Sequence, residues 1–259
     1  MKSYFLADFN AHLRYHFFPG TGEPLVFIHG FGCASSCDYP RVAADAQLTG
    51  RNSILIDLLG SGFSDRPQDF SYSIEDHAKC VLDLLLGLNF SAYDLYGHSM
   101  GGAIAIVAAT LQPSLFRHLI VSEPNLDTRD ATFSGAVIKR SKTEANYLSR
   151  GHAWQVRAAT RAGNSIWAGS LAISAPYAIY REAQSLVQGS DPTWREQLLS
   201  LPMPRTFIVG ERSLPYPDAQ TMAAAGLDVR MISNAGHSMM WENPSGLAQT
   251  LHEALTGGA

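Results

Sequence analysis

Apolar residues recur along this chain in two distinct ways. Short, near-continuous apolar runs at residues 25–29, 53–57, 93–96, 119–122, 206–209 and 229–232 have the pattern of strands buried on both faces. Residues 4–8 and 12–18 instead alternate around Asn10-Ala11, which predicts an N-terminal antiparallel hairpin. Helical patterns at 74–86, 102–111, 217–225 and 244–255 separate most of the apolar runs. This alternation predicts an α/β fold with an eight-stranded, mostly parallel, doubly wound sheet and right-handed crossovers. Ligands of such sheets gather at the carboxyl ends of the strands.

From residue 126 to 201 no strand pattern repeats, while helix formers alternate with Tyr147, Trp154, Trp167, Tyr177, Tyr180 and Trp194. We read this stretch as a helical cap inserted after the sixth strand, with residues 1–125 and 202–259 forming the core. Most of its aromatics are expected to pack the cap, because aromatic rings dominate burial wherever they occur, and a few to face the pocket.

Composition narrows the function classes. The chain of 259 residues is 46% apolar, enough for one large core, and its formal charge of −4 is spread without acidic or basic blocks. That balance offers no footprint for nucleic acid or an anionic membrane and suits a small neutral substrate. Asp8, Asn10, His12 and Arg14 interrupt any signal-peptide core, and no apolar run approaches a membrane span. Cys33, Cys37 and Cys80 lack Cys-x-x-Cys spacing, so free thiols in a reducing cytoplasm are the expectation, with a Cys33–Cys37 bridge left open. No histidine pair has metal-site spacing, so no metal site is expected. Whether the chain is a monomer or a homodimer stays open.

The segment Gly97-His98-Ser99-Met100-Gly101-Gly102 follows one apolar run and precedes a helix pattern. This is the Gly-x-Ser-x-Gly spacing of a nucleophile elbow, which makes Ser99 the expected nucleophile of a hydrolase. Small residues at 97 and 101 let a serine sit on a sharp strand-to-helix turn. The same turn aims the Met100 N–H and the positive helix end at the place where an oxyanion would form. A second donor is expected from the backbone of Phe31, within His29-Gly30-Phe31-Gly32 after the 25–29 run. A serine hydroxyl needs a neighbouring base. Of nine histidines, His237 stands on a loop after the last apolar run, at the same sheet edge as Ser99. His98 is expected in the pocket wall, and His29 as a brace for its loop. Cys33, Trp154, Met239 and Trp241 complete the expected pocket, and Met240 lies beside them.

Four blocks then occur in one order: His29-Gly30-Phe31-Gly32, Asp57 to Asp65, Gly97 to Gly102, and Gly236-His237. In this order the chain resembles the α/β-hydrolase superfamily. The resemblance implies an eight-stranded core, a cap over the site, and a serine–acid–histidine triad without a cofactor; the Asp57 to Asp65 block looks like the family's structural turn. In many relatives the acid is an aspartate just after the seventh strand, where this chain has Ser213. Other members take it from the end of the sixth strand, where this chain has Glu123. Glu123 is therefore favoured over Glu211 and Asp218, which remain alternatives. The expected activity is hydrolysis of a small, mainly apolar carboxylic ester or lactone. Carbon–carbon or amide hydrolysis, or a ligand sensor with little turnover, are the alternatives.

Overall fold

The computed structural model describes residues 1–257. Its centre is an eight-stranded sheet of order β1-β2-β4-β3-β5-β6-β7-β8. The strands are β1 (Lys2–Leu6), β2 (Ala11–Phe18), β3 (Thr21–Ile28), β4 (Arg51–Asp57), β5 (Tyr93–His98), β6 (Phe116–Ser122), β7 (Arg205–Gly210) and β8 (Asp228–Ile232). β1 and β2 form the antiparallel hairpin, and β2 pairs antiparallel with β4. The remaining pairings are parallel. The hairpin turn is longer than its alternation suggests: Ala7–Phe9 is a 3-10 turn that closes at Asn10 in the left-handed region, φ 46°. Asparagine tolerates that conformation because its short polar side chain bonds locally.

Helices cover both faces, which is why the central strands can be apolar throughout. One face buries Val26, Ile54 and Leu95 with helices Ile74–Leu88 and Met100–Leu111; the other buries Phe27, Leu55 and Tyr96 with helix Pro244–Thr256. The helix Ile74–Leu88 begins at a Ser73 cap that accepts from the Asp76 N–H and ends at Asn89 in the left-handed region. Short helices Ser35–Asp38 and Pro40–Ala43, which carry no periodic signal of their own, follow β3.

A large helical insertion lies between β6 and β7, built from helices that include Thr132–Ser141, His152–Arg161, Ser165–Ile173, Pro176–Gln188 and Trp194–Ser200. Its buried aromatics, Tyr147, Tyr180 and Trp194, join the main core. No helix among the described residues is long and apolar enough to cross a membrane. All three cysteines are free thiols, so Cys33 and Cys37 do not bridge.

Candidate active site

The carboxyl ends of β3, β5, β6 and β8 converge on one cavity of about 590 Å³, walled in part by the insertion. Ser99, Glu123 and His237 all line it, together with Gly30, Phe31 and Cys33.

Ser99 joins β5 to helix Met100–Leu111 with φ 54° and ψ −120°, a conformation costly for any residue with a Cβ. The turn holds because its neighbours are glycines packed against backbone. A Cβ on Gly97 would strike the Gly101 carbonyl, and one on Gly101 the carbonyls of Ile28 and His29. The Ser99 N–H donates to the Ser122 carbonyl at 3.0 Å, which ties the elbow to the end of β6. Met100 opens the helix, so its N–H has no intrahelical acceptor and stays near the positive helix end.

Glu123 follows β6 directly. Its own N–H donates to the Ile208 carbonyl of β7 at 3.1 Å, and its backbone turns with φ 39°, so the side chain is delivered between the ends of two strands. There the carboxylate, 2% exposed, accepts from the Gly210 N–H at 2.9 Å and lies 2.7 Å from His237 Nδ1. Burial alone would raise this carboxyl, but hydrogen bonding and charge from His237, the Gly210 amide and the Ser213 hydroxyl bring it below its ordinary value. Ser213, where many relatives would carry an aspartate, thus lies near the glutamate and helps to keep it charged.

His237 rides on a loop braced at several points: Gly236 N–H donates to Glu242 Oε2 at 2.5 Å, Asn234 N–H to Glu211 Oε2 at 2.7 Å, and Arg212 N–H to the Ala235 carbonyl at 2.8 Å. Glu211 is thereby occupied with holding the loop. Asp218 is occupied as well, taking Arg195 at 2.8 Å and Arg129 at 3.3 Å. With Nδ1 directed at Glu123, the free ring nitrogen of His237 is Nε2. Among the described residues no hydrogen bond joins the Ser99 hydroxyl to this ring; both face the same cavity, and such contacts commonly tighten only once substrate is bound.

The second histidine of the elbow is a wall. His98 is buried, its Nδ1 lies 2.9 Å from Ser122 Oγ, and its ring is 4.6 Å from that of His237. Burial, then the neighbouring His237, push its pKa well below the ordinary histidine value, so it stays neutral. His29 braces the loop after β3: Nδ1 is 2.9 Å from the Gly30 carbonyl, and Nε2 accepts from the Leu58 N–H at 3.1 Å. Asp57 is spent on structure, accepting from the Ser36 amide and hydroxyl at 2.8 Å each and from the Phe63 N–H at 3.0 Å.

The expected pocket is only partly the observed one. Cys33, His98 and Trp241 line the cavity; Trp154 and Met239 do not. Trp154 faces outward beneath the Arg140 guanidinium, 3.5 Å from its ring centroid, and Met239 is fully buried in the core below, so Met240 takes its place in the lining. Sequence reasoning missed Phe133, Ile166, Tyr216 and Asp38, and left the facing of Trp167 undecided among the cap aromatics; all five line the cavity. Asp38 is 4% exposed and accepts from Trp241 Nε1 at 3.0 Å; burial raises its carboxyl to about 6. A buried aspartate on a one-turn helix, directly after Cys37, gives no periodic signal.

A family model described as alpha/beta hydrolase fold matches residues 23–141. An N-acyl homoserine lactonase, AidH, superposes with a TM-score of 0.77 at 19% identity, covering 99% of this chain and 96% of that one. The chain has the α/β-hydrolase fold. An esterase from Exiguobacterium antarcticum shares this fold with a TM-score of 0.78 at 18% identity, over 96% of this chain and 97% of its own. Among curated proteins, a 2-hydroxymuconate semialdehyde hydrolase of Pseudomonas sp. (strain CF600) is 37% identical over 106 residues, 39% of this chain and 36% of its own length. The first curated relatives are matched over only 36–39% of their own length. No group of histidine, cysteine or acidic side chains that could hold a metal ion occurs among the described residues.

Proposed function

We propose that this protein is a serine hydrolase of small, neutral carboxylic esters or lactones. Ser99 Oγ attacks the carbonyl carbon while His237 Nε2 takes the hydroxyl proton, and Glu123 holds the imidazole in the required tautomer and balances the imidazolium. The N–H groups of Phe31 and Met100 receive the oxyanion. Collapse breaks the bond to the alkoxy oxygen, which leaves with the proton from His237; in a lactone it stays tethered. Water, deprotonated by the same imidazole, then cleaves the acyl–Ser99 ester and releases the acid.

The observation that carries this reading is the buried Glu123–His237 pair at 2.7 Å, lining the same cavity as a serine held at φ 54°. The names of the structural relatives, lactonase and esterase, agree with it. The cavity size falls in the range of small-molecule sites. Its lining favours a neutral substrate: the one arginine there, Arg129, is already paired with Asp127 and Asp218, and Asp38 adds a buried carboxyl. A carboxylate-bearing substrate would meet no free arginine or lysine in that lining.

Short-chain nitrophenyl esters and a panel of simple lactones test the proposal. Steady turnover that disappears in Ser99→Ala, and that falls for an ester carrying an extra carboxylate, supports it. Stoichiometric acylation of Ser99 without turnover would point instead to a ligand sensor, and turnover that survives Ser99→Ala would end the proposal.

A further inference from the structure

The insertion touches the core at the loop that carries the proposed oxyanion donor. Trp167, on helix Ser165–Ile173, donates from its indole Nε1 to the Phe31 carbonyl at 2.9 Å. That carbonyl belongs to the central peptide of a tight turn: the Cys33 N–H bonds back to the Gly30 carbonyl at 3.2 Å, and Gly32 has φ 66°. A closed turn with only its third residue at positive φ is a type II turn. The Phe31 N–H belongs to the preceding peptide, which keeps its place in both type I and type II turns, so the indole contact bears on that N–H by anchoring residue 31 as a whole. With glycines on both sides of Phe31, little within the loop itself opposes a shift of that residue.

The indole bond opposes it. The approach is close enough that a Cβ on Gly32 would lie 3.0 Å from Trp167 Nε1 and 3.0 Å from Leu171 Cδ1. Glycine at 32 is thus required twice, by its backbone angle and by the indole above it. The Trp167 ring also meets Phe133, at 5.8 Å between centroids, and Phe133 in turn lies over His237 at 6.4 Å with the rings inclined by 27°. Two elements of the insertion therefore reach both ends of the reaction centre, the oxyanion turn and the base.

From these contacts we infer that Trp167 is a positioning residue: by anchoring the Phe31 carbonyl it fixes residue 31 between two glycines, and with it the Phe31 N–H, so that the oxyanion site is complete only when the cap is seated. The inference rests on the reading of Phe31 as an oxyanion donor. Trp167 does not touch the reacting atoms, so its effect acts through the turn and belongs to the transition state.

The test uses the full-length protein and the variants Trp167→Phe, which removes the N–H but keeps a ring, and Trp167→Gln, which keeps a donor but packs less well. Turnover of a short-chain nitrophenyl ester is measured alongside inhibition by a trifluoromethyl ketone, whose adduct with a serine carries an oxyanion, and by the product acid, which forms no adduct. Loss of a direct donor costs about 10²–10³ in kcat, so loss of a residue that positions one should cost less. Trp167→Phe is expected to lower kcat about tenfold with KM within about twofold, and to weaken the ketone by the same factor while leaving the product acid unchanged. Trp167→Gln should recover part of the lost kcat, whereas a purely packing role predicts that Gln is the worse replacement. Thermal unfolding separates misfolded variants from these effects. Unchanged kcat and ketone affinity in Trp167→Phe, a rise in KM alone, or a Gln variant slower than the Phe variant would each overturn the inference. A wild-type protein that neither turns over the ester nor binds the ketone would remove the underlying assignment of Ser99, and this inference with it.

Discussion

Replacing Glu123 by glutamine keeps the size of the side chain and alters one property of the site. In the native protein one carboxylate oxygen accepts from the Gly210 N–H at 2.9 Å and the other faces His237 Nδ1 at 2.7 Å. The amide oxygen of glutamine keeps the bond to Gly210, which leaves its NH2 group against Nδ1. An NH2 donor there favours the imidazole tautomer with its proton on Nε2, and that nitrogen can then no longer accept the proton of Ser99. The buried charge that balances the imidazolium is lost as well. In a serine triad this combination costs about 10³–10⁴ in kcat, or about 4–5.5 kcal/mol of barrier. Because the glutamate is 2% exposed, no water takes its place. Steady-state hydrolysis of a nitrophenyl ester near neutral pH, with circular dichroism to confirm folding, measures the loss. Ser213 stands beside this carboxylate just beyond the end of β7, so adding Ser213→Asp to Glu123→Gln should restore at least about tenfold. The reasoning is refuted if Glu123→Gln stays within about threefold of wild type, or if Asp218→Asn or Glu211→Gln causes the larger loss.

Two further outcomes follow from the site. Asp38 has a folded pKa of about 6 against 3.8 for a free aspartate, so the folded protein holds a proton that the unfolded chain has released, and stability drains away as pH rises through about 6. Asp38→Asn can still accept from Trp241 without that charge, so denaturant melts should show its stability relative to wild type improving by about 2 kcal/mol between about pH 4 and pH 7; a constant difference would contradict the buried-charge argument. Ser99 sits at φ 54° and ψ −120°, where glycine is unstrained, so Ser99→Gly should raise stability by about 1–2 kcal/mol while abolishing turnover. A lower melting midpoint in that variant would mean that the elbow is not strained.

Much of this was legible in the sequence, for reasons that can be named. Doubly covered strands must be apolar, so β3 to β8 announced themselves, although polar edge residues such as Thr21 and Arg51 were hidden from that signal. The helix after Ser99 starts at Met100 rather than at Gly102, because glycines that let the elbow pack read as loop. Glu123 was reachable because a carboxylate that ends β6 must emerge beside the elbow, whose last strand residue His98 pairs with Ser122. The cap was legible only as a helical region. Which aromatic faces the cavity depends on how each helix is rolled, and that is set by packing between helices far apart in the chain: Trp167 turns inward to Phe31, while Trp154 turns outward to Arg140. Met239 and Met240 exchange roles for the same reason, since on a one-turn helix adjacent residues face different sides.

The central claim is that the Ser99 hydroxyl is activated by His237, and covalent labelling measures this most directly. A fluorophosphonate incubated with the protein should add one equivalent, mapped by peptide mass spectrometry to Ser99. Labelling should vanish in Ser99→Ala and slow by about 10³ or more in His237→Ala. A label on another residue, or a His237→Ala protein labelled as fast as wild type, would contradict the account.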